Sequence, residues 1–332
     1  VQSNDKRTPT AFGGKILVLI ASALGLVASP LARADYPDRP IRLVLGFSAG
    51  GGTDVLARVI AQKMGDHLGK AVIVDNRPGA NGNIAAELVA KAPADGYTLL
   101  YNTSSVILSP SLYAKLGYDP QKNLMPVGLA ANQPIVLVSN PIAPVRNVND
   151  VVTSLKSRPG QLNYGSAGNG NITHLSMLMF EDAIGAHGTH VPYRGEAPAL
   201  ADLVGGQVQI YMGTSAGVMP MVRDKRLRPL AVGSLKRLPS LPDVPTLDET
   251  VAKGLELGAW SGIMAPAGTP PEIVRKLSAA LREALGEKDL QAGFNAQSAE
   301  VRYATPEQYG SFLKAEQARW AKLIRQANVK LE

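Results

Sequence analysis

At 332 residues, 45% hydrophobic and 18% charged, the chain is long enough for two domains with a sizeable core. Its net charge of +7 comes without a Lys/Arg stripe or clustered basic helix, and aromatics are only 5%, so no nucleic-acid partner is expected. It has no cysteine, which excludes a disulfide framework, thiol catalysis and thiolate metal sites.

Residues 1–34 read as an export signal. Lys6, Arg7 and Lys15 precede an uncharged run over residues 16–29, and Ala32-Arg33-Ala34 offers small residues where a signal peptidase inspects the chain. The run of 14 residues is short for a bilayer span, and no second stretch of that kind follows. Cleavage near Ala34-Asp35 and a periplasmic mature protein are therefore expected. Losing those residues lowers the net charge from +7 to +4 over the remaining 298.

From Asp35 onward strands alternate with helices. Residues 41–47 form an apolar run suited to a buried strand, followed by Ser48-Ala49-Gly50-Gly51-Gly52. From Thr53 the period changes, and Val55, Leu56, Val59, Ile60, Met64 and Leu68 share one helical face that Gly69 can end. The first turn of a helix leaves N–H groups without internal partners, and glycines let an anion approach them. Residues 71–75 predict a second strand, 84–91 a helix and 97–101 a third strand with Asn102, Thr103 and Ser104 at its end. Residues 127–139 are extended around Gln133-Pro134, and the proline predicts a crossover between two lobes there.

The alternation then repeats. Val148–Ser157 is a predicted helix, and 162–165 a strand leading into a second small-residue loop, Gly165-Ser166-Ala167-Gly168-Asn169-Gly170. A helix over 173–184 follows, with Leu175, Leu178 and Met179 inward. Strands are expected at 190–193, 208–212 and 228–233, with a helix at 197–204 and Gly213-Thr214-Ser215 ending a strand. Residues 238–245 read as a surface loop and 260–265 as a strand returning to the first lobe. Helices over 271–285 and 306–327 close the chain, the last with Tyr309, Phe312, Leu313, Trp320, Leu323 and Ile324 inward. The pattern predicts parallel-rich sheets covered on both faces. Two strand–loop–helix units then present helix N-termini to one shared anionic ligand.

The motifs Phe47-Ser48-Ala49-Gly50-Gly51-Gly52-Thr53-Asp54, Asp75-Asn76-Arg77-Pro78-Gly79-Ala80, Asp95-Gly96-Tyr97-Thr98-Leu99, Tyr164-Gly165-Ser166-Ala167-Gly168, His190-Val191-Pro192-Tyr193-Arg194-Gly195 and Leu241-Pro242-Asp243-Val244-Pro245-Thr246 occur in order. In this the chain resembles the Bug family, also called TctC, the periplasmic receptors of tripartite tricarboxylate transporters. The resemblance runs from about Tyr36 to the C-terminal helix. It implies an α/β, two-lobed, clam-like fold of the type II periplasmic-binding-protein kind, each lobe a mixed sheet flanked by helices. Lobe one would be residues 35–133 and 258–332, and lobe two residues 134–257. It also implies a monomeric, non-enzymatic receptor that delivers a small carboxylate to a membrane permease, or senses it, without cofactor or metal. The carboxylate would sit between the two glycine loops, held by backbone N–H groups and ordered water.

By position, Phe47, Ser48, Ala49, Gly50 and Gly51 are expected in the first jaw, and Ser166, Ala167, Gly168, Asn169 and Gly170 in the second. Asn102, Thr103, Thr214 and Ser215 should line the space between, since ligands of open α/β sheets lie beyond the carboxyl ends of strands. His174 and Arg194 are further candidates, the latter for a distal carboxylate. Asp54 is read as a cap or dipole partner. His187 and His190 lack a third metal ligand at suitable spacing. Trp260 is read as a core or lobe-interface residue. The rival reading is a serine hydrolase, because Gly46-Phe47-Ser48-Ala49-Gly50 spells G-x-S-x-G. That elbow would follow the first strand, leaving none upstream for a second oxyanion donor, and the loop runs on through Gly51 and Gly52. A dinucleotide site is disfavoured, since the glycine spacing is not G-x-G-x-x-G.

Overall fold

The computed structural model describes residues 1–5 and 35–326, so the expected signal run and cleavage motif lie outside the described residues. The chain divides into two units, Val1–Asp38 and Arg39–Glu332, and all elements below belong to the second. Strand β1 (Ile41–Leu45) is buried except at Arg42 and runs parallel to β2 (Val72–Asn76) and β3 (Thr98–Thr103) on either side. Antiparallel β9 (Gly258–Pro266) follows β3, and then β4 (Leu124–Ser139).

β4 changes partners along its 16 residues. Its first part pairs with β9 and with β10 (Glu300–Ala304); Ile135 to Ser139 pair instead with β7 (Ile210–Thr214), and Val136 to Ser139 also with β8 (Arg228–Val232). Strands β5 (Asn163–Ser166) and β6 (Thr189–Pro192) continue from β7 in parallel. The order is β2-β1-β3-β9-β4-β7-β5-β6. The sheets are thus mixed, because β4 and β9 run against their neighbours. Pro134 pairs with Gly258 on the last rung of the β9 ladder, which suits a residue with no N–H to donate.

Helix α1 (Gly52–Leu68) buries Leu56, Ile60, Met64 and Leu68 at four-residue spacing. Each such side chain contributes roughly 1.5–3 kcal/mol by leaving water. Gly69 ends the helix at φ 68°, a left-handed cap. Helix α2 (Asn83–Ala90) follows β2. Helices α4 (Val148–Ser157), α5 (Ile172–Ile184) and α6 (Glu196–Val204) cover the second half. Within α5, Met177 and Phe180 are fully buried, whereas Leu178 and Met179 are only partly so, which shifts the expected inward face.

Several elements differ from expectation. β3 and β7 extend through Thr103 and Thr214 and pass at once into α3 (Ser104–Leu112) and α7 (Ser215–Arg223). Pro110 and Pro220 inside these helices hide the helical period. After the short α8 (Leu247–Thr250) and the long α9 (Pro271–Gly286) come α10 (Lys288–Ala296) and β10. Of α10 only Leu290 and Phe294 are buried, too sparse a stripe to read from sequence. The closing helix α11 (Pro306–Gln326) joins two of the hydrophobic clusters: Tyr309 and Leu313 belong with Val44 and Leu100, and Trp320 and Ile324 with Phe180 and Ile210.

Candidate ligand-binding cleft

The first loop is tied down by its own helix. Asp54 in α1 is 3% exposed and accepts from Gly50 N at 3.0 Å, Arg58 Nε at 2.9 Å and Asn76 Nδ2 at 2.9 Å. Burial raises its pKa, but the bonds from Arg58, Gly50 and Asn76 outweigh that and hold it below the usual carboxylate range. Asp54→Ala should therefore cost about 2 kcal/mol by leaving those donors unpaired. The loss should be fully present above the unfolded pKa of about 3.9 and disappear as pH falls through the lower folded value, as denaturant melts at several pH values will show.

The second loop is braced by hydrogen bonds of its own. Ala167 N donates to Thr173 Oγ1 at 2.8 Å, Gly168 N to Ser166 Oγ at 3.2 Å and Gly170 N to His174 Nδ1 at 3.1 Å. Asn171 caps α5 by accepting from Thr173 N. Behind the loop, His174 and His190 stack at 3.9 Å with 5° between rings, and Tyr164 lies against His190. Burial, and secondarily His190, lowers His174 to about 3; burial lowers His190 to about 4, so both imidazoles are neutral. The N–H groups of Ala167, Gly168 and Gly170 are engaged within the loop, and Gly50 N by Asp54.

Two adjoining spaces lie between the loops. The inner one, about 30 Å³, is lined by Phe47, Ser48, Gly51, Thr103, Ala167 and Thr214 among the expected residues. It also takes Thr53, Asp54, Ser104, Gln133, Asn171, Ile172, Thr173, Glu196, Ala259 and Trp260, which were not anticipated as ligand contacts. The outer one, about 280 Å³, shares Phe47 and Ala167 and adds Gly168, Asn169 and Arg194, with Asn81 and Tyr113.

The remaining candidates line neither space. Ala49 and Gly50 are exposed. Gly170 lends its N–H to His174, and His174 packs behind the loop instead of facing the cleft. Ser166 Oγ is hydrogen-bonded to His190 Nε2 at 2.6 Å. Asn102 Nδ2 donates to the Tyr309 hydroxyl and Ser215 Oγ to Ser298 O, both away from the cleft. Trp260 is 4% exposed and packs edge-on against Tyr309, as a core residue with one face to the cavity. His187 lies by Glu181, apart from the His174–His190 stack.

Contacts across the cleft centre on Glu196, at the start of α6. It is 7% exposed; its carboxylate accepts from Thr214 N at 2.8 Å, Thr214 Oγ1 at 2.7 Å and Gly52 N at 3.2 Å. Burial raises its pKa, and these three bonds only partly oppose that. A Cβ on Gly52 would collide with Gly217 N and Thr214 Oγ1, and one on Gly217 with the Glu196 carboxylate. A second bridge is Asn171 Nδ2 donating to Asn81 Oδ1 at 3.0 Å. Glu196 looks in sequence like any acidic residue in a first helical turn, and Gln133 follows Asn132 in an otherwise apolar strand.

Two mixed sheets joined through one strand, with glycine loops closing on a polar interior, define a two-lobed solute-binding protein. The chain belongs to the tripartite tricarboxylate transporter family receptors, TctC, whose family model matches residues 56–329. It is similar to the periplasmic binding protein BugD, at 36% identity and a TM-score of 0.87 over 89% of this chain and 100% of that one. R. palustris Rpa4515, solved with adipate, is 37% identical with a TM-score of 0.87, covering 90% and 100%. MatC from Rhodopseudomonas palustris, solved with bound malate, is 32% identical with a TM-score of 0.83, covering 87% and 100%.

Proposed function

We propose that this chain is a periplasmic, monomeric receptor that captures a small carboxylate-bearing solute between its lobes and passes it to a permease of the tripartite tricarboxylate type. The observation that carries this is the inner cavity itself. Ser48 Oγ, Ser104 Oγ and Gln133 Oε1 are buried in its lining residues without a hydrogen-bond partner among the described residues. Buried polar groups seldom go unsatisfied, so a polar solute is their natural complement. The adipate and malate held by relatives supply its class. Both loops come from one chain, so no second copy is needed. The lobes would hinge near 133/134, where β4 changes partners, and near 257/258, where β9 begins.

Ser48 is read as a ligand contact and not a nucleophile. His190 is bonded to Ser166 and His174 accepts from Gly170, while His67 lies by Glu287 and His187 by Glu181. None of the four histidines is hydrogen-bonded to Ser48 as a base would be. A thermal-shift screen of mono-, di- and tricarboxylates and amino acids on the exported protein tests the proposal. A true ligand at ~100 times its Kd should stabilise the fold by about 2.7 kcal/mol. A screen in which no carboxylate raises the melting temperature would remove this reading.

A further inference from the structure

Both tryptophans of the chain, Trp260 and Trp320, donate to one carboxylate. Their indole Nε1 groups lie 3.2 and 3.0 Å from Glu316 Oε2. The other oxygen, Oε1, accepts from Arg319 Nη1 at 3.3 Å, one turn further along α11. The Glu316 side chain is largely buried, at 14% exposure. Hydrogen bonds to an ionised acceptor are stronger than neutral ones, and a buried indole N–H left without an acceptor is costly.

These residues meet where the sheet changes direction. Trp260 pairs with Asn132, two rungs before the β9 ladder ends at Pro134 and Gly258, beyond which β4 pairs with β7. Trp260 belongs to the cluster of Val44 and Leu100, and Trp320 to that of Phe180 and Ile210. Glu316 therefore ties an aromatic of one cluster to an aromatic of the other.

Trp260 also borders two separate spaces. One is the inner cavity between the glycine loops. The other, about 270 Å³, lies at the hinge and is lined by Asn132, Phe312, Glu316 and Arg319 among others. Tyr309 and Phe312 meet the indole edge-on, with centroids 6.0 and 5.2 Å away. A ring that borders a void lacks contacts on that side, so packing alone does not set its tilt. The bond from Nε1 to Glu316 does.

We infer that Glu316 is a positioning residue for solute binding, holding the Trp260 wall of the inner cavity in place from the hinge side. It lines neither space of the cleft itself. The inference rests on the carboxylate-receptor reading above and adds to it a residue that acts through another. Affinity then depends on a carboxylate outside the cleft, and the emission of Trp260 reports whether the cavity is filled.

Titration calorimetry and tryptophan emission on the intact receptor test this. The probe is the tightest acid in a panel of straight-chain mono- and dicarboxylates that includes adipate and malate. Glu316→Leu should bind the probe at least ~10-fold more weakly, a loss of about 1.4 kcal/mol. Glu316→Gln keeps an oxygen for the indole N–H and should recover most of that loss. In Trp320→Phe, where Trp260 is the sole tryptophan, emission should change along the calorimetric binding curve. Adding Glu316→Leu should remove most of that change. A folded Glu316→Leu with parent-like affinity overturns the inference and leaves the carboxylate reading standing. So does a Glu316→Gln variant as weak as Glu316→Leu. Emission in Trp320→Phe that ignores the bound probe overturns it too, and that arm needs no Glu316 variant to fold. Binding of no acid in the panel removes the carboxylate reading, and the inference with it.

Discussion

Gly52→Val is expected to weaken the best ligand by at least ~100-fold, about 2.7 kcal/mol, while the protein stays folded. Gly52 opens α1 at an ordinary helical φ, so a side chain there is compatible with its own backbone, and valine is a better helix former than glycine. The difficulty lies across the cleft. The new Cβ would overlap Gly217 N and Ala216 C on the facing lobe, which are backbone atoms and cannot rotate away. Relief comes from holding the lobes apart, and a ligand then touches only one of them. A ligand that gains contacts only on closure loses affinity by whatever closure costs. Gly50→Val is the informative contrast. Its Cβ would meet nothing nearer than Ala197 Cβ at 3.9 Å, so its penalty is backbone strain at φ +86°, read in stability more than in closure. Titration calorimetry and melting curves on both variants check this; parent-like binding by folded Gly52→Val would remove closure from the account.

The second large effect is acid sensitivity arising behind the second loop. His174 and His190 are held neutral, at about 3 and about 4, against about 6.5 in an unfolded chain. With folded pKa values depressed, their stabilisation is complete above about 6.5 and falls as pH drops, because the unfolded chain takes up the protons. Between pH 7.5 and 5 the pair should cost the fold about 3 kcal/mol, discounted for the partial exposure of His190. Glu181 and Glu196, raised by burial, act in the opposite sense, so the comparison must be parent against variant. His190→Phe keeps a ring in the stack and should remove about half of the pair's pH dependence in urea melts at pH 7.5 and 5. Identical pH dependence in parent and variant would show that these imidazoles are not the acid-labile element.

Much of this architecture can be read from local pattern. Val148–Ser157 is a helix by its apolar spacing and Asn147 cap, and α1 announces itself through Leu56, Ile60 and Met64. The glycine loops were also legible, as places where small residues interrupt a strand-to-helix passage. Strand alternation sorted the neighbours less well. Asn102 and Thr103 are adjacent on β3, so their side chains point to opposite faces: Thr103 meets the cavity and Asn102 meets Tyr309. Ser215 fails for a related reason, since the chain turns helical there and aims its hydroxyl at Ser298.

The residues that give the inner cleft its polarity were not legible. Glu196 meets Gly52 across 144 positions of chain, and Gln133 faces the cavity because β4 passes between the sheets. No local periodicity encodes such meetings. Four of the loop N–H groups, those of Gly50, Ala167, Gly168 and Gly170, already have acceptors in Asp54, Thr173, Ser166 and His174.

The most direct test of the central claim is a crystal structure of the receptor with its tightest carboxylate. The account predicts the solute between the two glycine loops, touching Ser48, with Phe47 and Ala167 against its middle and Glu196 and Gln133 at its inner end. A solute bound on the outer face of either sheet, with the space between Ser48 and Ala167 unchanged, would contradict it.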